Sequence, residues 1–92
     1  MSSILLVEDD LTLIEGLEYA IQKSGFQVEV ARTVDEALSL NENQKYDLLV
    51  LDLMLPDGTG FDICKKVRQF SMVPIIFLTA SDEEVNVVKG LD

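Results

Sequence analysis

The stretch from Asp47 to Gly60, Asp-Leu-Leu-Val-Leu-Asp-Leu-Met-Leu-Pro-Asp-Gly-Thr-Gly, constrains this chain more than any other. Four consecutive apolar residues, Leu48 to Leu51, stand between two aspartates. Such a run fits a strand buried on both faces, as strands of parallel sheets are. The strand ends on Asp52, and a Pro-Asp-Gly turn follows almost at once. In an open parallel sheet, ligands bind in the crevice at the carboxyl ends of the strands. Asp52 is therefore predicted to stand at the mouth of that crevice.

The rest of the chain alternates in a matching way. Ile4 to Val7 forms a first short apolar run, closed by Glu8-Asp9-Asp10. Leu13, Ile14, Leu17, Ala20 and Ile21 recur at helical spacing, which predicts a helix from Leu11 to Ser24 ended by Gly25. Gly16 within it costs roughly 1 kcal/mol against alanine. Val28 and Val30 alternate with Gln27 and Glu29, as in a half-exposed edge strand. Thr33 and Glu36 have capping-box spacing ahead of Val34, Ala37 and Leu38, a second helix. Phe61, Ile63, Cys64, Val67 and Phe70 mark a third helix starting near Thr59. Pro74 heads a fourth strand, Ile75 to Leu78. Ser81 and Glu84 then open a predicted fourth helix through Val85 and Val88.

This β-α-β-α-β-α-β-α order implies right-handed crossovers and an α/β fold, a doubly wound parallel sheet of order 2-1-3-4 with helices on both faces. At 92 residues and 48% hydrophobic content, residues 1–92 are read as a single domain. The net charge of −10 argues against direct nucleic-acid binding, since nothing neutralises a run of phosphates. The single cysteine, Cys64, allows no internal disulfide and fits a reducing compartment. No apolar run is long enough to span a membrane and no leader pattern opens the chain, so a cytoplasmic location is expected.

The chemistry resides in the carboxylates. Strands one and three are neighbours in the predicted order, so Glu8, Asp9 and Asp10 should meet Asp52 in one crevice. Carboxylates gathered in this way repel each other unless a cation joins them, and hard oxygen ligands with open positions suit Mg²⁺. An aspartate beside such a cation can act as a nucleophile toward a phosphoryl group. Thr79 ends strand four, where its hydroxyl would face the same crevice. Asp10 reads as a helix cap, Asp57 as a turn residue and Cys64 as core. With no histidine, neither a Ser-His nor a Cys-His pair can exist, and no glycine-rich phosphate loop follows strand one.

Three pieces, in this order and spacing, resemble the receiver domain of two-component response regulators. They are Ile4-Leu5-Leu6-Val7-Glu8-Asp9-Asp10, Asp47 through Gly58, and Pro74-Ile75-Ile76-Phe77-Leu78-Thr79-Ala80. The resemblance implies a flavodoxin-like fold, with Asp52 as phosphoacceptor from a sensor histidine kinase. It implies Mg²⁺ held by Asp9 and Asp52, by Glu8 through water, and by the backbone carbonyl of Met54. Thr79 becomes the switch hydroxyl and Ala80 the small residue beside it. The expected product is a phosphorylation switch that assists its own phosphotransfer, rather than a turnover enzyme. It would act through the surface of helix four on a winged-helix DNA-binding output domain not present in this chain.

Receivers of this family continue through a fifth strand, which carries a lysine, and a fifth helix. The chain is accordingly expected to be an incomplete receiver without the catalytic lysine, Lys89 falling on the helix-four pattern. An exposed edge at Ile75 to Leu78 would favour a homodimer or a swapped oligomer. Three alternatives stand beside this reading. An Asp-nucleophile phosphohydrolase would place a second aspartate where Met54 stands. A nucleotide- or flavin-binding module would want a phosphate loop after strand one. The last is a phosphorylation-dead interaction fragment.

Overall fold

The computed structural model describes residues 2–78 and 88–89. In chain order the elements are β1 (Ser3–Val7), α1 (Leu11–Lys23), β2 (Gln27–Ala31), α2 (Val34–Asn43) and β3 (Leu48–Asp52). A hairpin of β4 (Met54–Leu55) and β5 (Gly58–Thr59) follows, then α3 (Gly60–Val67), β6 (Ile75–Leu78) and β7 (Val88–Lys89). The main sheet runs β2-β1-β3-β6-β7. Its first four strands are parallel and take the predicted order, because each helical crossover returns the chain beside an earlier strand. Val28 and Val30 of the edge strand β2 are half-buried, and Gln27 and Glu29 are exposed.

Each helix starts where a short polar side chain can take up free backbone amides. Asp10 caps α1 by accepting from the amides of Thr12 and Leu13 at 2.9 and 3.3 Å. Ser24, expected inside α1, is its C-cap, and Gly25 breaks the helix at φ 95°, a conformation that favours glycine. Thr33 caps α2, but the partner carboxylate of Glu36 reaches past it to the Arg32 amide at 2.7 Å. Thr59 and Asp62 form a complete capping box on α3.

The two faces of the sheet bury different residues, as the strand period of two requires. Leu5, Val7, Leu49, Leu51, Ile75 and Phe77 pack with Ala37 of α2 and with Ile63, Cys64 and Val67 of α3. Ile4, Leu6, Val50 and Leu78 face the other way, against Leu17 and Ile21 of α1. Of the predicted α1 stripe only Ile14 is buried, while Leu13 and Ala20 are exposed. An added Cβ at Gly16 meets nothing within 4 Å, so this glycine serves no close packing.

Two expectations are corrected. Val88 and Lys89 belong to a strand, not a helix: β7 pairs antiparallel with β6, Ile76 opposite Lys89 and Phe77 opposite Val88. The free backbone groups along β6 compete with helix formation for this segment, and β6 is therefore not a bare edge. Phe70 lies beyond the end of α3 and is 79% exposed, and Phe61 is also largely exposed, so the α3 stripe is Ile63, Cys64 and Val67. Arg68 closes the α3–β6 connection by donating to the carbonyls of Ser71 and Val73 at 3.1 and 2.7 Å. None of the described helices is long and apolar enough to cross a membrane.

Candidate functional site

The strand register brings the acidic residues together. Val7 pairs with Leu51, so the next residues along the two strands, Glu8 and Asp52, leave the sheet side by side at its carboxyl edge. Carboxylate oxygens of Glu8, Asp9 and Asp52 all lie within 4.8 Å of one another. Glu8 is only 2% exposed, an unusual position for a carboxylate. Its Oε2 accepts from the backbone amides of Asp9 and Asp10 at 3.0 and 3.1 Å, which folds the loop after β1 around the carboxylate.

Burial pushes the Glu8 carboxyl up to about 7. The Asp10 amide opposes this, the charge of Asp52 and a hydrogen bond shared with it push further upward, and the Asp9 amide opposes again. The site therefore wants positive charge, which a bound cation would supply. The donor set fits a hard divalent cation, since every candidate ligand atom is an oxygen. Oxygens bound directly to one Mg²⁺ stand at most about 4.2 Å apart, twice its usual bond length. A cluster within 4.8 Å is therefore of the size that one such ion, bound directly or through water, would need.

Asp10 is committed to capping α1. Met54 opens β4, two residues beyond Asp52, with its side chain 70% exposed. Asp52 pairs with Leu78, the last residue of β6. Thr79 and Ala80 lie outside the described residues. Cys64 is buried on α3, in keeping with a core role.

Three residues of this region have roles that escaped the sequence reading. Gly60 is one: a Cβ there would collide with the Asp52 carbonyl oxygen, so only glycine lets α3 begin so close to the acid. The spacing Thr59-Gly60-Phe61-Asp62, a capping box with glycine directly after its cap residue, was the available signal. Asp57 is the second. Its carboxylate accepts from the Val34 and Asp35 amides at 2.7 and 3.1 Å, and those bonds hold it below the usual carboxylate range. Arg32 is the third, its Nη2 donating to the Asp9 carbonyl oxygen at 3.1 Å. Sequence spacing carries no signal for contacts between such distant segments.

Comparison with known proteins agrees with this architecture. The family model of the response regulator receiver domain matches residues 4–92. The transcriptional regulatory protein AfsQ1 of Streptomyces coelicolor is 40% identical over 92 residues, all of this chain and 41% of that protein. The alkaline phosphatase synthesis transcriptional regulatory protein PhoP of Bacillus subtilis is 44% identical over 90 residues, 97% of this chain and 38% of that protein. The chain thus spans about two fifths of the length of these curated relatives. Among solved structures, the non-phosphorylated HemR receiver domain of Leptospira biflexa superposes with a TM-score of 0.80 at 42% identity, covering 91% of this chain and 68% of that one. The response regulator TrrA of Thermotoga maritima, in complex with Mg²⁺ and BeF, gives 0.83 at 31% identity, covering 89% and 72%. The chain belongs to the receiver domain family of two-component response regulators.

Proposed function

We propose that this chain, as one receiver domain over residues 1–92, accepts a phosphoryl group on Asp52 and signals by the resulting change in charge. The observation that carries this reading is the convergence of Glu8, Asp9 and Asp52 at the carboxyl edge of β1 and β3. An Asp52 carboxylate oxygen attacks the phosphorus of a phosphohistidine on a sensor histidine kinase. An O–P bond forms, the N–P bond breaks, and the imidazole leaves with the bonding electron pair. Asp9 and Asp52 would hold magnesium directly, Glu8 would hold it through water, and the Met54 carbonyl would complete the protein ligands. Magnesium, when bound, neutralises charge on the transferred oxygens. Glu8 does two jobs here, since its Oε2 also fixes the Asp9 and Asp10 amides.

The acyl phosphate adds negative charge and acceptor oxygens at Asp52. The Thr79 hydroxyl turns toward them, with Ala80 leaving room, and the surface beyond β6 shifts to govern a winged-helix DNA-binding output domain. The relatives' transcriptional names support such an output. The Mg²⁺-bound neighbour supports the ion. We place this activity in the cytoplasm, where a kinase's phosphohistidine is available.

Incubation with Mg²⁺ and acetyl phosphate, followed by intact mass measurement, tests the reading. One added phosphoryl group, labile to base and absent from Asp52→Asn, is expected. An adduct that survives Asp52→Asn, or none on folded and Mg²⁺-loaded protein, overturns it.

A further inference from the structure

The candidate site joins the loop after β1 to the carboxyl end of β3, and the pairing of those two strands holds them together only as far as Val7 and Leu51. Glu8 and Asp9 lie on the loop between β1 and α1, and Asp52 opens the segment that runs through the β4–β5 hairpin to α3. The base of that hairpin is fixed, because Gly60 abuts the Asp52 carbonyl and donates its amide to the Leu53 carbonyl at 3.1 Å. Its tip is held from elsewhere. Asp57 accepts from the first two amides of α2, Val34 and Asp35, more than twenty residues away in sequence. The same junction between β2 and α2 also reaches the other loop, where Arg32 Nη2 donates to the Asp9 carbonyl.

The Arg32 bond takes no part in building α2, and the two Asp57 bonds add to a cap that the helix already has. Thr33 already caps that helix through the Glu36 amide, and Glu36 already takes the Arg32 amide. Both Arg32 and Asp57 are exposed, so neither anchors the core. What the Arg32 and Asp57 contacts share is their targets: one loop bears Asp9, and the other follows Asp52. The β2–α2 junction is thus a strap with one end on each half of the carboxylate cluster.

We propose that Arg32 and Asp57 are positioning residues that act through this strap to set the spacing of the Asp9 and Asp52 carboxylates, and with it the affinity of the pocket for magnesium. The inference rests on the magnesium pocket of the proposed function. It draws its force from the strict geometry of Mg²⁺, whose ligands tolerate little displacement. Groups that orient ligands from outside the coordination sphere typically change metal affinity by roughly 10- to 100-fold when removed. Arg32 and Asp57 meet the same small junction, so their effects should not add.

Charge alone makes the opposite prediction at one of these positions, which makes the test decisive. Removing the positive charge of Arg32 near a cation site should strengthen Mg²⁺ binding if only Coulomb forces act. Removing a ligand-orienting bond should weaken it. The experiment is calorimetric titration of the 92-residue chain with Mg²⁺ at fixed ionic strength, for wild type, Arg32→Ala, Arg32→Lys, Asp57→Asn, Asp57→Ala, the double variant Arg32→Ala with Asp57→Ala, and Asp52→Asn, each checked for folding by circular dichroism. The expected result is roughly tenfold weaker binding in Arg32→Ala and in Asp57→Ala, with the double variant little worse than either single one. Arg32→Lys, which keeps a donor, should recover affinity, and Asp57→Asn should fall between wild type and alanine. Amide exchange at Val34 and Asp35 should quicken in both Asp57 variants. If Asp57→Ala unfolds, Asp57→Asn and the Arg32 pair carry the test.

Unchanged or tighter binding in Arg32→Ala, with wild-type affinity in the Asp57 variants, overturns the inference while Mg²⁺ binding that depends on Asp52 keeps the proposed function standing. A wild-type chain that binds no Mg²⁺, or an Asp52→Asn chain that binds it equally well, overturns both.

Discussion

The face of the sheet under α2 and α3 and the face under α1 are held by different means. Beneath α2 and α3 the strand residues meet side chains that are themselves buried, Ala37, Ile63, Cys64 and Val67 among them. Beneath α1, Ile4, Leu6, Val50 and Leu78 meet Leu17 and Ile21, which are only partly buried. One face is enclosed on both sides of the interface; on the other, among the described residues, α1 has Ile14 as its one buried side chain. The difference bears on the site because the hairpin after Asp52 is tied to α2 and α3, on the enclosed side. The loop bearing Glu8 and Asp9 leads instead into α1. Asp52 is thus built on the better-packed half, and its metal-side partners lie at the boundary between the halves.

Adjacent residues on β1 offer the sharpest comparison. Leu5 and Leu6 are both 0% exposed and differ chiefly in the face they enter. Loss of a buried leucine costs more where its neighbours cannot relax into the space. Leu5→Ala should cost about 4–5 kcal/mol and Leu6→Ala about 2–3 kcal/mol. Urea unfolding of both variants measures the gap, and equal losses would abolish the distinction between the faces.

Two glycines extend the contrast to the helices. Gly60→Ala drives a Cβ into the Asp52 carbonyl and should cost about 1–3 kcal/mol, as overpacking does. It should also slow phosphoryl loading, because the strain falls on the acceptor's own backbone. Gly16→Ala should act in reverse: its Cβ enters open space on α1, and stability should rise by about 0.5–1 kcal/mol. Thermal melts of both variants check the signs. A destabilising Gly16→Ala would mean that α1 packs more tightly than its half-buried stripe indicates.

The sequence disclosed most where local pattern and global packing agree. Leu48 to Leu51 could be read as a two-sided buried strand because every residue of the run is apolar, and the predicted strand order then placed Glu8 and Asp9 beside Asp52. Thr33 and Asp10 announced helix starts because a cap and the amides it serves are near in sequence. The failures share a cause as well. Val88 fits a helical repeat, but strand pairing is decided by whichever edge offers free backbone groups, here β6. Phe61 and Phe70 are apolar at the right spacing yet exposed, since periodicity says that a face exists and not what covers it. Asp57 looked like ordinary turn chemistry because its partners, Val34 and Asp35, come from another crossover.

Asp57 also supplies the smallest effect, and one that separates the two helix-bearing faces by pH. The Val34 amide first, and the Asp35 amide with it, hold its carboxyl below the ordinary aspartate value of 3.8. A carboxyl depressed on folding contributes stability that is fully present above its unfolded value and is lost as pH falls through the folded one. Wild type should therefore exceed Asp57→Asn in unfolding free energy at neutral pH, by a margin that salt reduces because the group is exposed. That margin should shrink below about pH 4 and vanish under the folded value. Hydrogen exchange over the same range should quicken at the start of α2, where the remote carboxylate is released. The corresponding change at α1, whose cap is Asp10 immediately before it, should be the same in wild type and variant. Superimposable acid limbs for the two proteins would show that the hairpin does not grip α2 in solution. The crowded face would then be held by its apolar contacts alone.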